Sequence, residues 1–185
     1  MELTVRIKKG LHQFTLNADI ETKSSIALLG ASGSGKSMTL KCIAGIEKPD
    51  SGVIILNGRT LYDSEKGIDL PPQKRKIGYL FQNYALFPNM TVRQNIEVAA
   101  KEKNNVDKLI SDFYLNSIAN KYPDEISGGQ QQRTALARII ASKPEAILLD
   151  EPFSAIDSYL KWKLEMTVSD TIKNFGGLSI MVTHD

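Results

Sequence analysis

An α/β fold built on a parallel core sheet is predicted by three observations. Four short apolar runs, Ile26–Leu29, Ile77–Phe81, Ala146–Leu149 and Leu178–Val182, suit strands covered on both faces. The first of them runs through glycines into a helix-forming stretch, Lys36–Ala44. Ahead of it, Leu3–Ile7 and Phe14–Ile20 alternate apolar and polar residues, the pattern of an outer antiparallel β layer.

The remaining elements follow in order. Val53–Leu56 reads as a strand entering a tight turn at Asn57-Gly58. Lys48–Gly52 and Leu70–Gln73 carry the proline and glycine of turns. The middle of the chain is helical: Val106, Leu109, Ile110 and Phe113 fall at helix spacing, as do Leu136, Ile139 and Ile140. A helical subdomain is therefore expected between about Pro88 and Ala141, inserted into a single domain spanning residues 1–185. Leu160, Leu164, Val168 and Ile172 recur every fourth residue and predict one apolar helix face turned to the core, with Trp162 off that stripe.

Composition excludes more than it identifies. The chain has 185 residues, 42% of them apolar and 24% charged, enough for one domain with a sizeable core. A net charge of +2 gives no strong pull toward nucleic acid or anionic lipid. No apolar run approaches the roughly 18–20 residues that cross a bilayer. The first ten residues are strand-like, unlike a signal peptide. The one cysteine, Cys42, excludes an internal disulfide, fits a reducing compartment and sits between Leu40 and Ile43 as a small core residue would. His12 has no context that assigns it a role.

The chemistry begins at Gly30-Ala31-Ser32-Gly33-Ser34-Gly35-Lys36-Ser37, which fits G-x-x-x-x-G-K-[ST]. Glycines let the backbone curl so that its N–H groups converge on phosphate oxygens. The helix that starts near Lys36 aims its positive end at the same point. Gly30, Ser32, Gly33, Ser34, Gly35 and Met38 are the candidate cradle. Lys36 is expected on the β- and γ-phosphates and the Ser37 hydroxyl on Mg2+. Asp150 and Glu151 close the apolar run that begins at Ala146. Strand ends of this kind line the ligand crevice of a parallel sheet. Asp150 then reads as part of the Mg2+ shell and Glu151 as a general base; two carboxylates capping the next helix is the other reading.

With these residues in place, the chain resembles the ATP-binding cassette (ABC) ATPases over nearly its whole length. The segment from Ile126 to Arg133, ISGGQQQR, is similar to their signature motif, with Ile where Leu is usual. Gln82 matches the Q-loop glutamine, Ser154–Asp157 the D-loop and His184 the switch histidine. The resemblance implies a P-loop NTPase fold that binds ATP and Mg2+. It also implies a head-to-tail dimer with a second ATPase subunit, read as a homodimer. Ser127, Gly128, Gly129 and Gln130 of one subunit would then face the nucleotide held by Lys36 of the other, and Asp157 would lie beside it. Ser127 also suits a helix N-cap, and the two roles can coexist. His184 and Gln82 would contact the γ-phosphate alongside Glu151, and Gln82 the metal as well. Phe14 is the candidate for stacking on adenine.

Leu70–Ile96 is similar to ATPase subunits of bacterial solute importers; Leu61–Gln82 and the short N-terminal strand pair most resemble those of molybdate and tungstate importers, and sulfate, iron(III) and polyamine importers share much of the pattern. That implies a peripheral subunit on the cytoplasmic face of the inner membrane, bound to a permease and through it to a solute-binding protein. Tyr84, Leu86 and Phe87 would either line the groove that receives the permease or pack within the helical subdomain. A non-transport ABC ATPase and a nucleotide-binding module without turnover are the alternatives. The family's domain continues past its switch histidine, so a C-terminally truncated chain is expected.

Overall fold

A computed structural model describes residues 1–12, 14–152, 166, 168–170 and 172–183. They form two compact units. The first takes Met1–Ile77, Glu145–Asp150 and the described part of Gly177–Asp185; the second takes Gly78–Pro144 and the described part of Glu151–Gly176.

The first unit starts with a hairpin of β1 (Leu3–Gly10) and β2 (Thr15–Thr22). Leu3, Val5 and Ile7 of β1 are buried while Arg6 and Lys8 face solvent, so the predicted alternation marks a sheet covered on one face. β3 (Ile26–Leu29) leads through residues 30–35 into α1 (Lys36–Ala44). β4 (Ser51–Leu56) pairs antiparallel with β1, and β5 (Arg59–Asp63) and β6 (Ile68–Asp69) extend that sheet to the order β2-β1-β4-β5-β6. Leu56 faces Arg59 across the expected turn, where Asn57 and Gly58 both have positive φ, 51° and 76°. This is the geometry that matches the twist of a two-residue hairpin.

The sequence predicts a turn over Leu70–Gln73. The chain instead enters a short helix, α2 (Pro72–Arg75), with proline in its first turn. The helix delivers Arg75, whose side chain is fully buried. Its guanidinium donates to the carbonyls of Cys42 (2.8 Å), Ile43 (2.9 Å) and Leu70 (2.7 Å) and to Asp69 (3.0 Å). Two of those carbonyls lie in the last turn of α1, where a cation opposes the helix dipole. Burial pulls the Arg75 pKa down, and Asp69 acts against that pull. Arg75→Met leaves the Ile43 and Leu70 carbonyls without this donor, while that of Cys42 keeps the Gly45 N–H, and should lower stability by roughly 3 kcal/mol, the low end for breaking a buried pair because Asp69 keeps its access to water. Urea denaturation measures it, and a loss below about 1 kcal/mol counts against the brace.

Cys42 is fully buried, as its neighbours predict, and burial pushes its thiol up to about 11. Alkylation of Cys42 by iodoacetamide at pH 8 should proceed only as fast as the chain opens. Rapid native-state labelling, measured by mass spectrometry, would contradict this environment.

The second unit begins within β7 (Ile77–Leu80) and carries α3 (Val92–Glu97), α4 (Val106–Asp112) and α5 (Gly128–Ala141). Its first residue is Gly78. A Cβ on Gly78 would overlap Ile139 Cγ2, so its bare backbone lets β7 close onto α5. Thr91 and Gln94 form a reciprocal capping box at the start of α3. Residues 168–170 and 172–175 are helical with Val168 buried, as the stripe predicts; Leu160, Trp162 and Leu164 lie outside the described residues.

The chain returns to the first unit in β8 (Ala146–Asp150) and β9 (Leu178–Thr183). β9 pairs parallel with β3 on one side and β8 on the other. Every residue of β8 is buried, as a wholly apolar run requires. β3 departs from that expectation: Ala27 and Leu29 are exposed, Leu29 at 68%. Among the described residues β3 lies at the edge of its sheet, with Ile26 and Leu28 half-buried on the opposite face.

Candidate functional site

In the first unit, β3 and α1 present residues 30–37 as a loop between strand and helix. Gly35 caps α1 with φ 92° and has no side chain to close the helix's first N–H groups. A Cβ on Gly35 would meet Leu16 Cδ1 at 2.8 Å and Phe14 Cζ at 3.5 Å, so only glycine lets the loop sit this close to β2. That contact puts the ring of Phe14, 39% exposed, beside the loop.

Lys36 turns its ammonium back over the loop, donating to the carbonyls of Gly30 (2.6 Å) and Ala31 (2.8 Å). Gly30, Ser32, Gly33 and Ser34 are exposed, and Met38 is half-buried in the first turn of α1. Ser37 Oγ donates to Asp150 Oδ1 at 2.7 Å. A hydroxyl and a carboxylate, 113 residues apart in sequence, thus meet at the carboxyl end of β8. Two hard oxygen donors are the set Mg2+ takes, with water and phosphate oxygens completing its octahedron. Among the described residues no cluster of three or more His, Cys, Asp or Glu offers a closed protein cage.

In the second unit, Gln82 is exposed just after β7. Ser127 is the N-cap of α5: its Oγ accepts from the Gln130 N–H, and the Gln130 side chain accepts from the Ser127 N–H. Ser127 and Gly128 are exposed and Gly129 half-exposed, so the amino end of a 14-residue helix opens to solvent. Glu151 is half-buried with φ 47°, a left-handed conformation uncommon outside glycine. Tyr84 is buried, which places it with the packing alternative, while Phe87 is 46% exposed. Asp157 and His184 lie outside the described residues.

Sequence reasoning missed the side chains that hold these segments. Arg138 of α5 donates to the carbonyls of Tyr84 (3.0 Å) and Ala85 (2.9 Å) and lies 5.2 Å from the Phe87 ring centroid; burial lowers its pKa. Asn95, fully buried, accepts from the Phe87 N–H and donates to the carbonyls of Phe87, Met90 and Thr91. The glutamines after the signature divide the work: Gln131 donates to the Pro123 carbonyl and Gln132 to that of Pro152. Spacing held a clue for Gln132, which precedes Leu136 by four residues and Ile139 by seven and so falls on the apolar face. A cavity of about 800 Å3 beside Lys108, Phe113, Ile140 and Phe175 contains none of the predicted site residues.

Comparison with known proteins agrees with this arrangement. The family profile described as ABC transporter matches residues 14–154. A sulfate/thiosulfate import ATP-binding protein CysA of Synechocystis sp. is 42% identical over 92% of this chain and 48% of its own length. An Fe(3+) ions import ATP-binding protein FbpC 2 of Pectobacterium atrosepticum is 43% identical over 97% of this chain and 54% of its own. The chain thus spans about half the length of these curated relatives. Among solved structures, a post-hydrolysis dimer of the ATP-binding cassette MJ0796 bound to ADP and Pi superposes with a TM-score of 0.79 at 27% identity, covering all of this chain and 88% of that one. The fold is therefore that of an ABC ATPase, with a parallel core sheet and an antiparallel β layer, and this chain belongs to the ABC transporter family.

Proposed function

We propose that the chain is the ATP-hydrolysing part of an ABC importer. The observation that carries this reading is the Ser37–Asp150 contact, which joins the phosphate loop to the acidic strand end. The loop amides and the open end of α1 bind the phosphates, and Lys36 neutralises the β- and γ-oxygens. Ser37 and Asp150 would hold Mg2+, which draws charge off the phosphates when bound.

Glu151 follows Asp150 directly in the chain and acts as the base. It takes a proton from water as the water oxygen bonds to the γ-phosphorus and the bond to the β,γ-bridging oxygen breaks, releasing ADP and phosphate. His184 and Gln82 hold the γ-phosphate and the attacking water. Ser127, Gly128 and Gly129, with Gln130 capping them, serve the nucleotide of a second copy, in a head-to-tail homodimer. Asp157 belongs to the same dimer face, and Phe14 stacks on adenine.

The named relatives import sulfate or thiosulfate and Fe(3+). Sulfate, molybdate and tungstate are all tetrahedral oxyanions, and an oxyanion is the proposed cargo. The cargo is chosen by a binding protein and a permease, to which this subunit attaches from the cytoplasmic side through the exposed Phe87 region. No helix among the described residues is long and apolar enough to cross a membrane. The test is reconstitution in vesicles with the cognate permease. ATP hydrolysis and oxyanion uptake should rise together when the loaded binding protein is added. Failure to hydrolyse ATP, or to bind any permease, would sink the proposal; uptake of Fe(3+) alone would replace the cargo.

A further inference from the structure

Glu151 sits in a conformation that its sequence context resists. Its φ of 47° is left-handed, and the residue that follows is Pro152. A residue before proline is normally pushed to extended backbone by the pyrrolidine ring. Left-handed backbone at a non-glycine residue persists only where surrounding contacts over-determine it. Ahead of Glu151, Asp150 is fixed in β8 by its pairing with Val182 in β9. Just beyond it, Gln132 Nε2 donates to the Pro152 carbonyl at 2.7 Å and ties down the next peptide.

Gln132 is unusual in its own right. It is fully buried on α5, and its Oε1 has no hydrogen-bond partner. An amide buried with one end unsatisfied costs stability, and an apolar side chain of the same length would avoid that cost. The amide makes one bond here, and that bond ends on the residue after Glu151. The Pro152 carbonyl can only accept, so the contact needs a donor at position 132.

We infer that Gln132 is a positioning residue for Glu151: from the signature helix it pins the Pro152 carbonyl and so holds the carboxylate in its left-handed turn. This inference rests on the proposed role of Glu151 as the base. It adds a residue that touches neither nucleotide nor water and acts through the backbone on the group that does.

The test is steady-state and single-turnover ATP hydrolysis by Gln132→Met, which keeps length and burial but removes the donor. The kcat should fall at least tenfold with KM for ATP within twofold of wild type. On a Glu151→Gln background the same substitution should cause no further loss, because the group it positions is already gone. Gln132→Glu adds a pH signature. A buried carboxyl has a raised pKa and donates a hydrogen bond only when protonated. The ratio of its kcat to that of wild type should therefore rise as pH falls from 8 to 6.

A Gln132→Met enzyme within twofold of wild-type kcat, while Glu151→Gln is inactive, overturns the inference and leaves the proposed function standing. Equal losses on both backgrounds overturn it too, because they mark a general packing defect. If the methionine variant fails to fold, the glutamate variant decides, and a flat ratio across that pH range overturns the inference. A wild-type chain that hydrolyses no ATP removes the function and the inference together.

Discussion

Glu151→Gln should lower the rate of ATP hydrolysis by about 10²–10⁴-fold, the usual worth of a positioned general base. Affinity for ATP should change little. The amide keeps the shape of the carboxylate and leaves Lys36, Ser37 and Asp150 untouched, and those are the groups proposed to bind phosphate and metal. Single-turnover phosphate release together with equilibrium binding of a fluorescent ATP analogue separates the two effects. In the proposed homodimer each bound ATP is shared by the two copies, so a variant that binds but does not hydrolyse it should also accumulate as an ATP-bound dimer, visible by size-exclusion chromatography. Hydrolysis within tenfold of wild type would remove Glu151 as the base and return its carboxylate to the helix-capping reading.

The opposite pattern is expected of Lys36→Ala. Its ammonium already lies over the loop, held by the carbonyls of Gly30 and Ala31. Bound phosphate oxygens would replace those neutral acceptors with charged ones. Charge-assisted bonds contribute about 1.5–3 kcal/mol each. Two of them amount to a loss in affinity on the order of 10²–10⁴-fold. Isothermal titration with ATP and Mg2+ measures this directly. Lys36→Arg should recover little, since a planar guanidinium does not fit where a compact ammonium sits among backbone carbonyls. Retained tight binding in Lys36→Ala would undercut the phosphate-loop assignment.

Strand, glycine loop and helix at Ile26–Ala44 were legible because each rests on local chemistry: an apolar run, glycines, then helix formers. The Asn57-Gly58 hairpin and the Ser127 cap were legible for the same reason. What escaped was set by distant partners. Arg75 stands in the polar run Gln73-Lys74-Arg75-Lys76, which reads as a solvated turn. It is buried where the carbonyls of Cys42 and Ile43, more than thirty residues away, accept from it. The exposure of Leu29 is likewise set by what covers that face of the sheet, and no local pattern in Ile26–Leu29 records that. Gln132 was hidden by its neighbours: three consecutive glutamines look alike in sequence, and helix rotation sends them to three different partners.

The Arg75 brace also bears on how α1 breathes. Helices usually begin to exchange their amide hydrogens from frayed ends, through openings far smaller than complete unfolding. Here the carboxyl end of α1 is closed by a buried cation, so fraying from that side must first break its hydrogen bonds to Cys42 and Ile43. Amides in the last two turns of α1 should therefore exchange only when the whole unit unfolds. Those of residues 31–34, exposed and without such a brace, should exchange within seconds to minutes at neutral pH. A nine-residue helix would then show its slowest exchange at the end farthest from the phosphate loop. The boundary between slow and fast amides would fall near Ser37.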